Sequence, residues 1–428
     1  MDTTMSEVVQ FIQENDVKFI RLAFCDIFGN QKNIAIMPTE LERAFEQGIH
    51  FNAAALRGFL NVEASDLLLF PDPATLSVLP WRPAQGRVVR FYCDIRYPDG
   101  TPFEGDGRHL LREANRRARR AGYSLTMGTA SEFYLFELDE NGHPTTIPHD
   151  HGEYFDVAPL DKAENVRRQI CLTLEEMNIQ PESSHHEQGP GQNEVDFRYA
   201  EALEAADNFV TFKWVVKSMA SSSGLFASFL PKPLPHAPGS GLHLSVSINK
   251  NGKNLFQPSF EESAEGQSFV AGILQRAAEM TIFCNPLTNS FQRLGEFEAP
   301  KYITWSHQNS RPLITVPLLR TARRTASSCV RSTAASTRTS YLRCSSTPVW
   351  TASSRDCPCR PPATKTCSPP PTRYAPVTRL CPALCATRSA SPRTATLSPS
   401  TCPKRHARPF SRPSRPNTTA SCLPTTAR

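Results

Sequence analysis

Two carboxylates, Glu187 and Glu194, flank a Gly189-Pro190-Gly191 turn in the stretch SSHHEQGPGQNEVDF, residues 183–197. A tight turn sets the end of one extended segment beside the start of the next, so both acids can face one space. Oxygen ligands of this kind suit hard divalent cations such as Mg²⁺ and Mn²⁺. Glu132 opens a further strand-like run, SEFYLF, and His243 follows a tight Gly239-Ser240-Gly241 turn. Singly, an acid at a strand edge is usually solvated and a lone histidine is usually structural. A site requires that they converge.

Convergence needs strands and helices in register, and the hydrophobic pattern supplies them. Apolar spacing predicts a helix over 5–14, and DVKFIRLAFCDIFGNQKNIAIMP predicts a hairpin around Phe28-Gly29-Asn30. The runs DLLLFPDP and RVVRFYCDIRYPDG complete a small strand-rich unit to about residue 103. Beyond it, amphipathic helices (GRHLLREANRRARRAGY, 162–177 and 201–222) alternate with the strands SEFYLFEL, NEVDFRYA, LFASFL and GLHLSVSINK. The expected class is α+β with mainly antiparallel sheet. The expected domains are 1–103, 104–317 and a tail, 318–428.

The 428 residues suffice for two or three domains. The N-terminus, MDTTMSEVVQFIQENDVKF, has no basic region followed by an apolar stretch, so no signal peptide is expected. No apolar run reaches the roughly 18 residues of a membrane span. A cytoplasmic protein with no membrane partner is expected.

The net charge of +6 conceals two opposite halves. Of 47 basic and 41 acidic residues, 19 basic ones and a single acid, Asp356, lie in Leu318–Arg428, which leaves 28 basic against 40 acidic before it. That tail holds nine of thirteen cysteines and sixteen of thirty-seven prolines, with no Gly, Ile or Glu. It has no periodicity and cannot build a core, so it is expected to be disordered. Its arginines are scattered rather than blocked, unlike a nucleic-acid arm, and Cys357-Pro-Cys359 lacks metal-knuckle spacing. No nucleic-acid partner is expected. Out-of-frame translation fits better. When each codon is built from the last base of one tail codon and the first two of the next, TASSCVRST (325–333) can encode RIELRSVD. The same shift turns the stretch from Pro348 into a run with ordinary glycines and acids.

Taken in order, HHEQGPGQNE (185–194), GSGLH (239–243), NPLTNSFQRL (285–294), FEAPKYITWSHQN (297–309) and the shifted RIELRSVD resemble the motifs of bacterial type I glutamine synthetase. The resemblance runs from about residue 14 to 317. It implies an N-terminal β-grasp domain, a catalytic domain from near Glu104, and ATP-dependent joining of ammonia to glutamate through γ-glutamyl phosphate. It implies Mg²⁺ or Mn²⁺ as cofactor, ATP as substrate, and a double hexameric ring whose sites lie between subunits. Carried over by position, Glu132, Glu187 and Glu194 bind one metal, and His243 belongs to a second. Gly239 and Arg293 bind glutamate, Glu182 and Ser247 lie near the nucleotide, and Glu298 sits in the loop shielding the intermediate.

Several positions depart from the family pattern. GPExEF reads GTASEF, placing Ala130 where a ligand of the second metal is expected, and the third ligand falls in the shifted tail. The ammonium-binding aspartate is Asn52, which supplies no charge and takes no proton. Two substrate arginines are replaced by Ser310 and Thr315, beside Arg311, while Pro238 and Ser245 replace an asparagine and a second histidine. The expectation is a family chain that is impaired or inactive as read. Two alternatives are a ligase joining glutamate to a polyamine or another amine, and a non-catalytic regulatory pseudoenzyme.

Overall fold

The computed structural model describes residues 4–59, 65–308 and 311–317, and the backbone of 328–333; the tail beyond lies outside the described residues. The first unit runs α1 (Met5–Glu14), β1 (Val17–Cys25), β2 (Gln31–Ile36), α2 (Leu41–Glu46), β3 (Ile49–Asn52), β4 (Asp66–Pro71), β5 (Ser77–Val78) and β6 (Arg87–Arg96). Thr4 starts α1 with a capping box to Glu7. The predicted hairpin joins β1 to β2, and its turn is closed by Asp26, whose Oδ1 accepts from the amides of Phe28 and Asn30. The sheet order is β2-β1-β6-β4-β3, with β5 on β6. β1 and β6 are parallel, a pairing across distant segments that alternation does not reveal. One hydrophobic cluster, drawn from residues between Val8 and Phe103, fills this β-grasp unit.

The second unit continues with α3 (Gly107–Arg120), β7 (Tyr123–Leu138), β8 (Pro144–Pro148), α4 (Glu164–Glu176), β9 (Pro181–His186), β10 (Gln192–Phe197), β11 (Ala200–Glu201), α5 (Ala202–Ser222), β12 (Leu225–Ser228), β13 (Gly241–Lys250) and β14 (Lys253–Asn254). It ends in α6 (Ala264–Cys284), α7 (Thr288–Arg293), β15 (Tyr302–Ser306), β16 (Pro312–Thr315) and β17 (Ser328–Thr333). The spine of its sheet is β15-β16-β17-β13-β7-β10-β9, antiparallel except for β15 with β16. No helix among the described residues is long and apolar enough to cross a membrane.

β7 organises this sheet, pairing with β8, β10, β11, β12 and β13. Its odd-numbered Leu125, Met127, Phe133 and Leu135 enter the hydrophobic cluster, while Gly128, Ala130 and Glu132 line a cavity on the other face. Each buried apolar side chain of this size stabilises by roughly 1.5–3 kcal/mol, so the period of two holds the register firmly. Glu132 therefore does not open a strand. It sits mid-strand, because the polar residues that suggested a strand start, Thr129 and Ser131, are themselves buried ladder residues.

The two units are joined by a buried ion cluster. Arg108 on α3, with a side chain 1% exposed, donates to Asp72, Asp94 and Asp207, at 2.9, 2.9 and 2.8 Å. Arg112 reaches Asp94 and Asp72 from the next turn of the helix. Tyr92 shares a 2.8 Å hydroxyl contact with Thr211, and Trp81 meets Trp214 edge-on.

Candidate active site

Strands β7, β10 and β13 turn alternate residues toward a cavity of about 870 Å³. Val195 and Phe197 of β10, and Leu242, Leu244 and Val246 of β13, face the core. Their neighbours Glu194, Asp196, His243 and Ser245 line the cavity. The cross-strand register places Glu194 opposite Glu132.

Glu132 is held on both oxygens. Its Oε2 accepts from Gln192 Nε2 at 2.8 Å and from the Gly241 amide at 2.9 Å, and Oε1 lies 3.2 Å from His243 Nε2. Burial opposes its charge, but the His243 contact and the Arg293 charge hold its carboxyl below the usual range. Glu194 meets His185 Nε2 at 3.4 Å, yet burial and then the Glu132 charge push it up to about 9. Closely spaced carboxylates that cannot all ionise unaided form a donor set that a divalent cation suits. The donor atoms form two groups, Glu132–Glu194–His243 and His185–Glu187–Glu194, each within 4.8 Å. Glu194 belongs to both groups, whereas the sequence expectation placed Glu132, Glu187 and Glu194 at one metal and His243 at a second; all four lie around one cavity. On the ladder His243 stands opposite Ala130, and its ring reaches Glu132, two residues along β7, at 3.2 Å.

Behind the turn, His186 and Asp150 have side chains 0% exposed and lie 2.8 Å apart. His186 Nδ1 meets the Glu187 carbonyl at 2.7 Å, and Nε2 meets Asp150 Oδ1, so both nitrogens face accepting oxygens. Burial pushes Asp150 up, but the His186 hydrogen bond and charge outweigh it and hold the carboxyl at about 2, below its ordinary 3.8. A depressed carboxyl adds stability above its unfolded value and loses it as pH falls through the folded one. Urea unfolding at pH 5 and pH 2 is therefore expected to show the native chain losing about 2 kcal/mol more than Asp150→Asn. Equal losses would exclude this pair as an acid-labile element.

The far wall is built by close approach. A Cβ on Gly239 would lie 2.4 Å from the Pro231 carbonyl and 2.8 Å from Arg293 Cγ, so a glycine lets that backbone pack against the arginine stem. Buried Lys232 donates to the Ala237 carbonyl at 2.8 Å and to Glu296 at 2.6 Å, tying the segment before Gly239 to the loop that carries Glu298. Tyr154 and Phe155 stack at 4.0 Å beside His185.

Glu132, Glu182, Glu187, Glu194, Gly239, His243, Arg293 and Glu298 all line this one cavity. Ser247 does not. It shares the β13 face of His243 and Ser245 but is fully buried and accepts a 2.9 Å hydrogen bond from Asn254. Ala130, Pro238 and Ser245 also line the cavity, whereas Asn52 caps a short turn by accepting from the Ala54 amide and is not among the lining residues. Ser310 lies outside the described residues, and Thr315 sits on β16 away from the lining. Gln192, Lys232, Asp150 and His186 carry no role in the sequence reading. The only signal for Gln192 and His186 was their place within the HHEQGPGQNE run.

Three neighbouring strands set Ala130, His243 and Arg331 in one cross-strand row, since His243 pairs with Ala130 on β7 and with Arg331 on β17.

The sequence matches "Glutamine synthetase, catalytic domain" over residues 104–347 and "Glutamine synthetase, beta-Grasp domain" over 16–98. It is 47% identical to glutamine synthetase of Clostridium saccharobutylicum over 323 residues, covering 74% of this chain and 73% of that protein. It is likewise 47% identical to glutamine synthetase of Methanosarcina mazei over 322 residues, covering 74% and 72%. In fold it is similar to Plasmodium falciparum glutamine synthetase (TM-score 0.73, 24% identity, 81% of this chain and 74% of that one). It is also similar to a GmaS/ADP complex (TM-score 0.71, 25% identity, 81% and 82%). The chain belongs to the glutamine synthetase family, the glutamate–ammonia ligases.

Proposed function

We propose that the chain retains the glutamate- and cation-binding half of a glutamine synthetase site and carries out ATP-dependent joining of ammonia to glutamate poorly or not at all. Arg293 and Gly239 would hold glutamate, Glu298 would shield the activated carboxyl from water, and Glu182 would face the nucleotide. Glu132, Glu187, Glu194 and His243 would hold Mg²⁺ or Mn²⁺. A bound cation would offset phosphate charge while the glutamate carboxylate attacks the γ-phosphate of ATP and ADP leaves; ammonia would then displace phosphate.

The observation that carries the impairment is the row Ala130–His243–Arg331. The neighbours of His243 in that row are residue types that donate nothing to a cation, so a second ion near the ATP phosphates would gain only His243 from the row and would have to share Glu132 and Glu194 with the first. Asn52, Ser310 and Thr315 remove a base and two cations besides. Losing one electrostatic stabiliser at a reacting centre commonly costs about 10²–10³ in rate, although such losses do not simply add. We assign the tail from residue 318 to a one-base shift of frame. We also assign the chain to a double hexameric ring, in which the Asn52 turn, absent from its own chain's cavity lining, would complete a neighbour's site.

The test is ADP release by the purified chain with ATP, glutamate and ammonia. Glutamate binding with turnover far below ordinary enzyme rates of about 1–10³ s⁻¹ is expected. Turnover in that range would overturn the reading, and turnover with another amine alone would reassign the acceptor.

A further inference from the structure

Glu132 and Glu194 lie within strands, whereas Glu187 stands one residue past the end of β9, on a turn. Yet that turn is gripped at both ends by one pair of side chains. His186 Nδ1 donates to the Glu187 carbonyl at 2.7 Å, and Asp150 Oδ1 accepts from the Gly191 amide at 2.8 Å. The two side chains meet at 2.8 Å through His186 Nε2. Asp150 is itself fastened from the other side, where Oδ2 accepts from the Lys162 amide at 3.1 Å. Within the turn, Gln192 Oε1 accepts from the Gly189 amide at 2.9 Å, while its Nε2 donates to Glu132. The Phe155 amide donates to the His186 carbonyl at 3.1 Å, so the segment bearing the aromatic rings at the cavity is fastened to the same residue.

We propose that Asp150 and His186 are positioning residues that clamp the Glu187–Gly191 turn at both ends and so set the Glu187 carboxylate for cation binding. Neither side chain lines the cation-facing wall. They act through the backbone on either side of the turn, and Gln192 passes the same constraint to Glu132. The inference rests on reading Glu187 as a cation-binding group. Groups that orient a ligand from behind commonly account for 10–100-fold in metal affinity.

The experiment is a double-mutant cycle on the full chain with Mn²⁺ as probe, counting bound ion from the loss of the free-ion electron paramagnetic resonance signal. The four proteins are the native chain, His186→Gln, Glu187→Gln and the double variant, each with its thermal unfolding recorded. Each single change is expected to weaken Mn²⁺ binding about 10–100-fold, and the double variant is expected to bind no more weakly than Glu187→Gln alone. A purely structural role gives multiplying losses instead, and that result would overturn the proposal. Unchanged affinity in a folded His186→Gln chain would also overturn it while leaving the cation site standing. Absence of Mn²⁺ binding by the native chain would remove the cation site and the clamp together. If His186→Gln does not fold, Asp150→Asn, which keeps an accepting oxygen for Gly191, takes its place in the cycle under the same criteria.

Discussion

Restoring one donor next to His243 is expected to raise turnover by about 10²-fold or more. The experiment corrects the reading frame by one base after the Pro317 codon and compares that chain with and without Ala130→Glu, reading glutamate- and ammonia-dependent ADP release. On the proposed shift, the correction would return the glutamate of RIELR to the chain, and Ala130→Glu would set a second carboxylate beside His243. Position 130 faces the cavity, and the β7–β13 register sets it opposite His243. The carboxylate therefore needs no backbone change to arrive there. An unchanged rate would mean that the row is not where the limiting charge is missing. A coding DNA that reads through the basic tail without a shift would end the frame argument independently.

The second large effect concerns stability. Arg108→Ala is expected to cost at least about 3–5 kcal/mol, measured by urea unfolding of the full chain, because it leaves carboxylates facing each other without their shared cation. Asp72, Asp94 and Asp207 each contact that one guanidinium, and Arg112 touches only the first two. Lysine is a poor substitute. The guanidinium reaches Asp207 through both Nε and an Nη at 3.3 and 2.8 Å, and a point charge cannot reproduce that fork. A loss below about 1 kcal/mol would place this cluster among ordinary surface ion pairs.

Alternation and turn chemistry made much of this molecule legible from residues alone. The hairpin at residues 26–30, the helices over 107–120, 164–176 and 202–222, and the inward faces of β10 and β13 follow from local pattern. What escaped depends on partners distant in the chain. The parallel β1–β6 pair joins segments whose separate patterns say nothing about direction. Arg108 meets aspartates on three other segments, and no spacing announces that. Within the site, the motifs led to eight cavity residues. They did not show that β13 lies directly against β7, which sets His243 opposite Ala130 and within 3.2 Å of Glu132. Ser247 faced the expected way by parity, yet Asn254 closes over it from the short β14 hairpin.

β7 alternates core residues and cavity residues along a single ladder, and this has an informational consequence. Its odd positions hold Phe133 and Leu135 in the core, and its even positions present Ala130 and Glu132 to the cavity. A slip of one residue would exchange the two sets, burying a carboxylate and exposing aromatic carbon in a single move. The ladder thus works as a parity check on the chain: any copy that passes it by folding has its acid-bearing positions on the cavity side. Substitution of one residue, such as alanine for a carboxylate at position 130, would pass the check unnoticed, since alanine is tolerated on either face. Decay of chemistry by substitution is therefore invisible to the fold, whereas decay by displacement is not.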